Sequence, residues 1–343
     1  MTDNASTAIE SPPTSAVLLQ MMTGYWVSQA IYVAAKLGIA DLVADGPVDL
    51  RRLASATATD ASSLHRLMRA LAGVGIFTEA APGQYGLTPL AALLRSGTPD
   101  SMRALAITYN EEMYRSWGEL LYSVQTGGVG FEKLYGTLPF PYFAQYPEAD
   151  RVFNDAMISW SNQVAGAVSS TFDFSPFRTI ADIGGGHGAL LAGILQRYPS
   201  ANGILFDQPH VVAGAEAYLR DASVADRCSC IGGDFFQAVP AGADAYIMAQ
   251  ILHDWNDDRC TTILAQCRRA IPSHGKLLIV ELVLPEGEEP SFGKWLDLHM
   301  MVITGGRERT AAEYGLLFQK AGFALEDIVP TAPGPSVVVA APV

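Results

Sequence analysis

The residues of this chain that could do chemistry stand at the ends of successive apolar runs. In residues 179–191, TIADIGGGHGALL, an apolar run ends in Asp182, Gly184, Gly186 and Gly188 follow at alternate positions, and an alanine- and leucine-rich segment comes next. The pattern predicts a buried strand, a tight glycine turn and a helix. Glycine supplies positive φ there and lets a ligand lie against bare backbone. The helix start offers free N–H groups and a positive dipole end to a carboxylate or phosphate. Twenty-one residues after Gly186, the run 203–206 ends in Asp207, which suits a second strand presenting a carboxylate to a ribose diol. Asp234 stands beside Phe235 and Phe236 where a third strand should end, suited to pairing with an adenine amino group and covering its ring. A fourth run, 245–252, ends in His253-Asp254-Trp255. This is the chemistry of holding an adenosine-bearing cofactor. With Ala189 in the sixth place, the turn also fits the G-x-G-x-x-G/A dinucleotide fingerprint. On the turn alone, an NAD-dependent oxidoreductase and a mere tight turn both remain open.

The elements that must position these residues alternate as strand and helix from Phe177 onward, which predicts a doubly wound α/β sheet. Its last two runs, 323–329 and 336–340, are separated by Pro and Gly and should pair antiparallel at one edge. Before it, residues 1–15 carry Ser, Thr and a Pro-Pro pair and are expected to be a disordered tail. Residues 18–42 have helical spacing broken at Gly38, and two short helices and a hairpin follow to Pro89, the outline of a winged helix. Residues 106–165 are a helical connector with aromatics at helical spacing, for most of which helical core is the expected role.

The order of motifs resembles the S-adenosylmethionine-dependent methyltransferases. More narrowly, it resembles the small-molecule O-methyltransferase family that includes plant caffeate and flavonoid enzymes, acetylserotonin methyltransferase and bacterial polyketide enzymes. The matching letters are DIGGGHG, LFDQP, GGDFF, LHDWND, Glu281 in LLIVELVLP, and GGRERT at 305–310, and they span nearly the whole chain from about residue 20. The resemblance implies a Rossmann-like class I methyltransferase domain over residues 166–343, with a mostly helical winged-helix dimerisation domain at 16–105 and a connector that roofs the acceptor pocket. It implies S-adenosylmethionine as cofactor, S-adenosylhomocysteine as product, a homodimer, and an aromatic small-molecule acceptor.

Carried onto this chain, the resemblance assigns cofactor contacts to Asp182, Gly184, Gly186, Gly188, Asp207, Gln208, Asp234, Phe235 and Gln250, with Ser161 at the methionine end and Trp160 beside it. Phe153, Met157, Asp254, His299 and Met300 fall at the acceptor. Glu281 and Glu308 match the two carboxylates that flank the histidine and orient its ring. A phenol, with a pKa of about 10, is mostly protonated at neutral pH. His253, with an ordinary pKa of about 6.5, is suited to take its proton. Taken singly, these residues have plainer roles: His253 a satisfied strand-end residue, Asp254 a cap for the helix near Asp257, His299 a half-buried helix histidine. One departure stands out. Plant relatives carry a lysine four residues before the histidine and some others an arginine three before, where this chain has Ala249 and Gln250.

Composition narrows the partners. The 343 residues are 49% hydrophobic and 17% charged, enough for a sizeable core and about two domains. A formal charge of −13 argues against nucleic acid and anionic membrane. Residues 1–100 hold six cations against eight carboxylates, so the winged helix lacks the basic face that a DNA reader needs. No run approaches a membrane span and residues 1–15 do not resemble a signal peptide, so a cytoplasmic, soluble enzyme is expected. Cys228, Cys230, Cys260 and Cys267 lack zinc-finger spacing, and neither disulfide nor metal is expected. Alternatives to O-methylation are transfer to carbon or nitrogen, and a non-methylating, hydroxylase-like enzyme.

Overall fold

The computed structural model describes residues 13–331 and 334–343. The expected disordered tail lies, up to residue 12, outside the described residues, and from Thr14 the chain is helical. The chain divides into two compact units, up to Asn110 and from Glu111 onward.

In the first unit the apolar stretch forms helices Thr14–Met22, Gly24–Lys36 and Ile39–Leu42, and Gly38 breaks the pattern with φ of 68°. Two helices follow, Leu50–Ala56 and Ala61–Gly73, started by Asp49 and Asp60, whose carboxylates accept from Arg51 N (2.9 Å) and Ser63 N (2.8 Å). The second buries Leu64, Met68 and Leu71, one face at helical spacing. Strands β1 (Val48–Asp49), β2 (Phe77–Ala81) and β3 (Gln84–Leu87) form an antiparallel sheet in the order β1-β3-β2. Helices followed by a small sheet give the expected winged-helix outline.

In the second unit β4 (Thr179–Ile183), β5 (Asn202–Asp207), β6 (Cys228–Gly232), β7 (Ala245–Ala249) and β8 (Lys276–Glu281) are parallel. The short strands β9 (Val283–Leu284) and β10 (Arg309–Thr310) pair separately, also in parallel. The chain ends in β11 (Phe323–Val329) and β12 (Ser336–Pro342), which pair antiparallel. The main sheet runs β11-β12-β8-β7-β4-β5-β6, so β12 is inserted antiparallel beside β8 and β11 is the edge. An inserted antiparallel strand sets this sheet apart from the 3-2-1-4-5-6 order of dinucleotide-binding sheets.

Strand alternation divides the core between the two faces. Ile180, Leu278, Val280, Val337 and Val339 pack on one side with helices Ala189–Arg197 and Pro209–Asp221. Ala181, Ile183, Leu277, Ile279 and Val338 pack on the other with helices Asp257–Ala270 and Ala311–Lys320. One expected strand is shorter than its apolar run: β7 stops at Ala249 because Gln250 takes φ of 57°, and His253 follows on a 3-10 turn, Leu252–Asp254. The helix at Asp257 is capped by Asn256, whose side chain accepts from Arg259 N (3.0 Å), and not by Asp254. All four cysteines are free thiols. Among the described residues no helix is long and apolar enough to cross a membrane.

Helix Ala311–Lys320 buries Phe318 completely and leaves Leu316 61% exposed. Phe318→Ala should therefore cost about 3–5 kcal/mol, and Leu316→Ala less than about 0.5 kcal/mol, read as shifts of urea midpoint at constant slope.

Candidate active site

The carboxyl ends of β4, β5, β7 and β8 converge on one region, where open α/β sheets bind ligands. At β4, Gly184, Gly186 and Gly188 all have positive φ (74°, 59° and 82°). Their surroundings differ. A Cβ on Gly186 would meet open space, one on Gly184 would lie 2.5 Å from the Ile251 side chain, and one on Gly188 would press Leu205 and Leu219 at 3.1 Å. Gly186 thus bares backbone to the cavity, while Gly188 lets the following helix pack on the sheet. Gly186 N donates to Asp207 Oδ2 (2.8 Å), and Gln208 N to Asp207 Oδ1 (2.6 Å), so the aspartate at the end of β5 is fixed over the turn.

A cavity of about 790 Å³ opens here. Its wall includes Trp160, Ser161, Asp182, Gly184, Gly186, Asp207, Gln208, Asp234, Phe235 and Gln250, together with Phe140, Phe143, Phe153, Met157, Asp254 and Trp255. Two of its polar atoms are buried without a partner, Asp182 Oδ2 and Trp160 Nε1. One is an acceptor and the other a donor, the pair that an ammonium and a carboxylate would satisfy. Burial and the neighbouring Asp207 push Asp182 up to about 7. Asp234 is engaged by Phe236 N (2.9 Å) and the Gln237 amide (3.2 Å). The cation missing at 249 and 250 has no counterpart there; Gln250 Nε2 donates to Val280 O (3.4 Å). The arginine on the wall is Arg259, whose guanidinium lies over the rings of Phe236 (3.7 Å) and Trp255 (5.0 Å).

His253, Glu281 and Glu308 sit behind the wall beside Asp254. His253 is 6% exposed. Its Nδ1 contacts Glu308 Oε1 at 2.7 Å and its Nε2 lies 4.0 Å from Asp254 Oδ1. Glu281 departs from the expected flanking position, because it holds backbone and not the ring. Its Oε1 accepts from Ile251 N (3.2 Å) and His253 N (3.1 Å), and its Oε2 accepts from the Tyr314 hydroxyl. The two carboxylates thus divide the work, one fixing the main chain and the other the imidazole.

The GGRERT segment is built to lie against this turn. Arg307 N donates to His253 O (2.8 Å), and a Cβ at Gly306 would fall 1.9 Å from that same oxygen. Only glycine admits so close an approach. Arg309, fully buried, donates to Leu252 O (3.1 Å), Trp255 O (3.0 Å) and Asp257 Oδ1 (2.9 Å), pinning both ends of the histidine turn. Asp297 Oδ1 accepts from Glu308 N (2.9 Å). Arg309, Tyr314 and Asp297 carry no signal in the sequence, although Arg309 lies inside GGRERT. Nothing local marks a residue whose partners are 11 to 57 positions away.

Two expected acceptor residues are not on the wall. Met300 is buried, and His299 Nδ1 accepts from Trp117 Nε1 (2.9 Å), which leaves the proton on Nε2. Burial and His253 lower His299 to about 4, so it is neutral. Burial also acts to lower His253, but Asp254, Glu308 and Glu281 outweigh it and raise the imidazole to about 9. Among the described residues no group of three or more His, Cys, Asp or Glu side chains is placed to hold a metal ion.

These shifts carry a stability prediction. Asp182 and His253 both hold protons in the folded protein above their ordinary pKa values, so each contribution is complete at low pH and is lost as pH rises, for Asp182 between about 4 and 7 and for His253 between about 6.5 and 9. Denaturant midpoints of the cofactor-free protein should fall across both windows. Burial raises Asp254 to about 7 as well, so Asp182→Asn should make the lower fall shallower without abolishing it, and His253→Gln should flatten the upper, each by an amount on the order of a few kcal/mol.

The O-methyltransferase dimerisation domain matches residues 19–97 and the O-methyltransferase domain residues 117–324. The chain is 60% identical over 331 residues to the phenazine O-methyltransferase PhzM of Lysobacter antibioticus, covering 96% of this chain and 97% of that one. It is 34% identical over 312 residues to the phenazine-1-carboxylate N-methyltransferase of Pseudomonas aeruginosa, covering 91% and 92%. The fold matches human N-acetylserotonin methyltransferase in complex with S-adenosylmethionine with a TM-score of 0.90 at 27% identity, over 98% and 99% of the two chains. By sequence and fold together, the chain belongs to the O-methyltransferase family of S-adenosylmethionine-dependent methyltransferases.

Proposed function

We propose that this methyltransferase acts on a hydroxyl of an aromatic small molecule, with His253 as general base. The observation that carries the reading is the His253–Glu308 contact at 2.7 Å, which leaves Nε2 turned toward Asp254 at the cavity wall. A histidine held by a carboxylate at one nitrogen and free at the other is a proton acceptor of fixed direction.

The cavity fits the cofactor. Gly184, Gly186, Asp207, Gln208, Asp234, Phe235 and Gln250 would hold its adenosine. Trp160 Nε1 suits its carboxylate and Asp182 its ammonium, with Ser161 alongside. When bound, S-adenosylmethionine supplies an electrophilic methyl group on a sulfonium. Phe140, Phe143, Phe153 and Trp255 form the aromatic walls that orient a flat acceptor and exclude water. Toward that methyl group the chain's own part would be the proton: His253 Nε2 would take it from the acceptor hydroxyl, leaving the oxygen as the nucleophile. Glu308 stabilises the resulting imidazolium through Nδ1–H, and Glu281 keeps the turn in place. A base so placed is worth roughly two to four orders of magnitude.

A second reading rests on the N-methylating relative. A neutral ring nitrogen attacks with its lone pair and has no proton to lose, so it needs no base. His253→Ala separates the two. With methyl-labelled cofactor and a panel of hydroxylated aromatics that includes nitrogen heterocycles, the O-methylation reading expects label on oxygen. It also expects turnover to fall at least about tenfold in His253→Ala, with S-adenosylhomocysteine affinity near wild type. Label on nitrogen with undiminished turnover overturns it, and no labelled product from any acceptor favours a non-methylating enzyme.

The pH profile follows from the raised pKa. His253 must be neutral to accept a proton, so kcat/KM should climb with pH, reach half its maximum at about 9 and level off above that. Glu308→Gln removes a carboxylate that raises it. The climb should then move to lower pH while the plateau drops.

The dimerisation-domain match and the apolar faces of the first two helices support a homodimer. Leu19 is 59% and Trp26 62% exposed in the single chain. Replacing both by aspartate should halve the mass measured by sedimentation equilibrium.

A further inference from the structure

The long helix Pro147–Thr171 lines the cavity along one face. Asp150, Phe153, Asn154, Met157, Ile158 and Ser161 recur at the three- and four-residue spacing of a single helical stripe and all belong to the wall. At 1.5 Å per residue, Asp150 lies roughly 10 Å along the axis from Met157 and roughly 16 Å from Ser161. The stripe therefore leads from the proposed methionine end of the cofactor, past the aromatic wall, to a polar pair at the far end. Phe153, between them, stacks on Phe143 with ring centres 4.6 Å apart, and Phe140 stacks on Trp255 at 6.1 Å.

The polar pair has a fixed polarity. Asn154 Nδ2 donates to Asp150 Oδ2 (3.0 Å). The amide has thereby committed one of its two N–H groups to the carboxylate, and the pair's charge is that of Asp150, whose Oδ1 remains an acceptor. Among the described residues the wall carries no lysine, its histidines His187 and His210 stand beside the glycine turn and β5, and the guanidinium of Arg259 lies over Phe236 and Trp255. A carboxylate on the acceptor would be repelled by Asp150, whereas a hydroxyl would donate to it.

We infer that Asp150 and Asn154 are a distal recognition site for a second hydrogen-bond donor on the acceptor, so that the enzyme selects uncharged fused aromatics of two or three rings carrying hydroxyls at both ends and rejects their carboxylated analogues. This rests on the O-methylation reading for what happens at the near end, but recognition at the far end can be measured without turnover. A hydrogen bond to a charged group distinguishes a diol from a monool by about tenfold in affinity.

The test is equilibrium titration of the protein, saturated with S-adenosylhomocysteine, with 2,6-dihydroxynaphthalene, 2-naphthol and 6-hydroxy-2-naphthoate. Methyl transfer from S-adenosylmethionine to each is measured in parallel. The diol should bind about tenfold more tightly than 2-naphthol, and the naphthoate at least about tenfold more weakly than the diol. Asp150→Ala should abolish the preference for the diol over the monool. The isosteric Asp150→Asn should bring naphthoate binding up about tenfold, with S-adenosylhomocysteine affinity reporting that both variants are folded. Equal binding of diol and monool to the wild type, or preferences unchanged in both variants, overturns the inference. Diol preference in binding without label on oxygen upholds the distal site and overturns the O-methylation reading. Label on oxygen with no preference does the opposite.

Discussion

A charged imidazole is expensive to bury unless its neighbours compensate, and His253 is buried among three carboxylates. Much of the second unit is arranged around that requirement. Glu308 lies against Nδ1, Asp254 is next to Nε2, and Glu281 accepts two backbone N–H groups of the same turn. The carboxylates need support in turn. Tyr314 donates to Glu281, Asp297 accepts from the Glu308 backbone, and Arg309 supplies the buried positive charge that ties Leu252, Trp255 and Asp257 together. A network of this kind is worth having only when nearly every member is satisfied. Glu308 Oε2 is the exception, a buried oxygen without a partner at the very group that holds the histidine.

Backbone crowding enforces the same geometry. The short parallel pairing of β9 with β10 brings the segment carrying Glu308 alongside the end of β8, where Glu281 stands. Gly306 then lets that segment touch the His253 carbonyl. The glycine turn follows the same logic, since side chains at 184 or 185 would collide with Ile251 or with Asp182. Both are places where main chain must approach its neighbours closely, and in both the sequence places glycine.

The cavity wall is of mixed character. It combines glycine backbone and buried, partly unsatisfied polar atoms with aromatic rings, Asp254 and the hydrogen-bonded Asp150–Asn154 pair. The replacement of the relatives' basic residue by Ala249 and Gln250 leaves Arg259 as the wall's arginine, and it is stacked on rings. Among the described wall residues the charge balance is acidic, which bears on which acceptors the cavity admits as much as its volume does.

The sequence by itself determined the alternation of strand and helix, the glycine turn, the aspartate closing β5, the histidine after β7 and the winged-helix outline of the first unit, because each is written in local periodicity, in turn chemistry or in contiguous motif letters. It also marked Glu281 and Glu308 through a resemblance, without saying what either would touch. Only the tertiary structure decided that Glu308 meets the ring and Glu281 the backbone, that β7 ends at Ala249, that Met300 and His299 lie off the cavity wall, and that Asp150 and Asn154 lie on it. The physical reason is the same in each case. Hydrogen-bond partners 28 to 55 residues apart are chosen by how strands register and how closely loops pack. A helix's apolar stripe shows that one face is buried, but not whether protein or cavity lies against it.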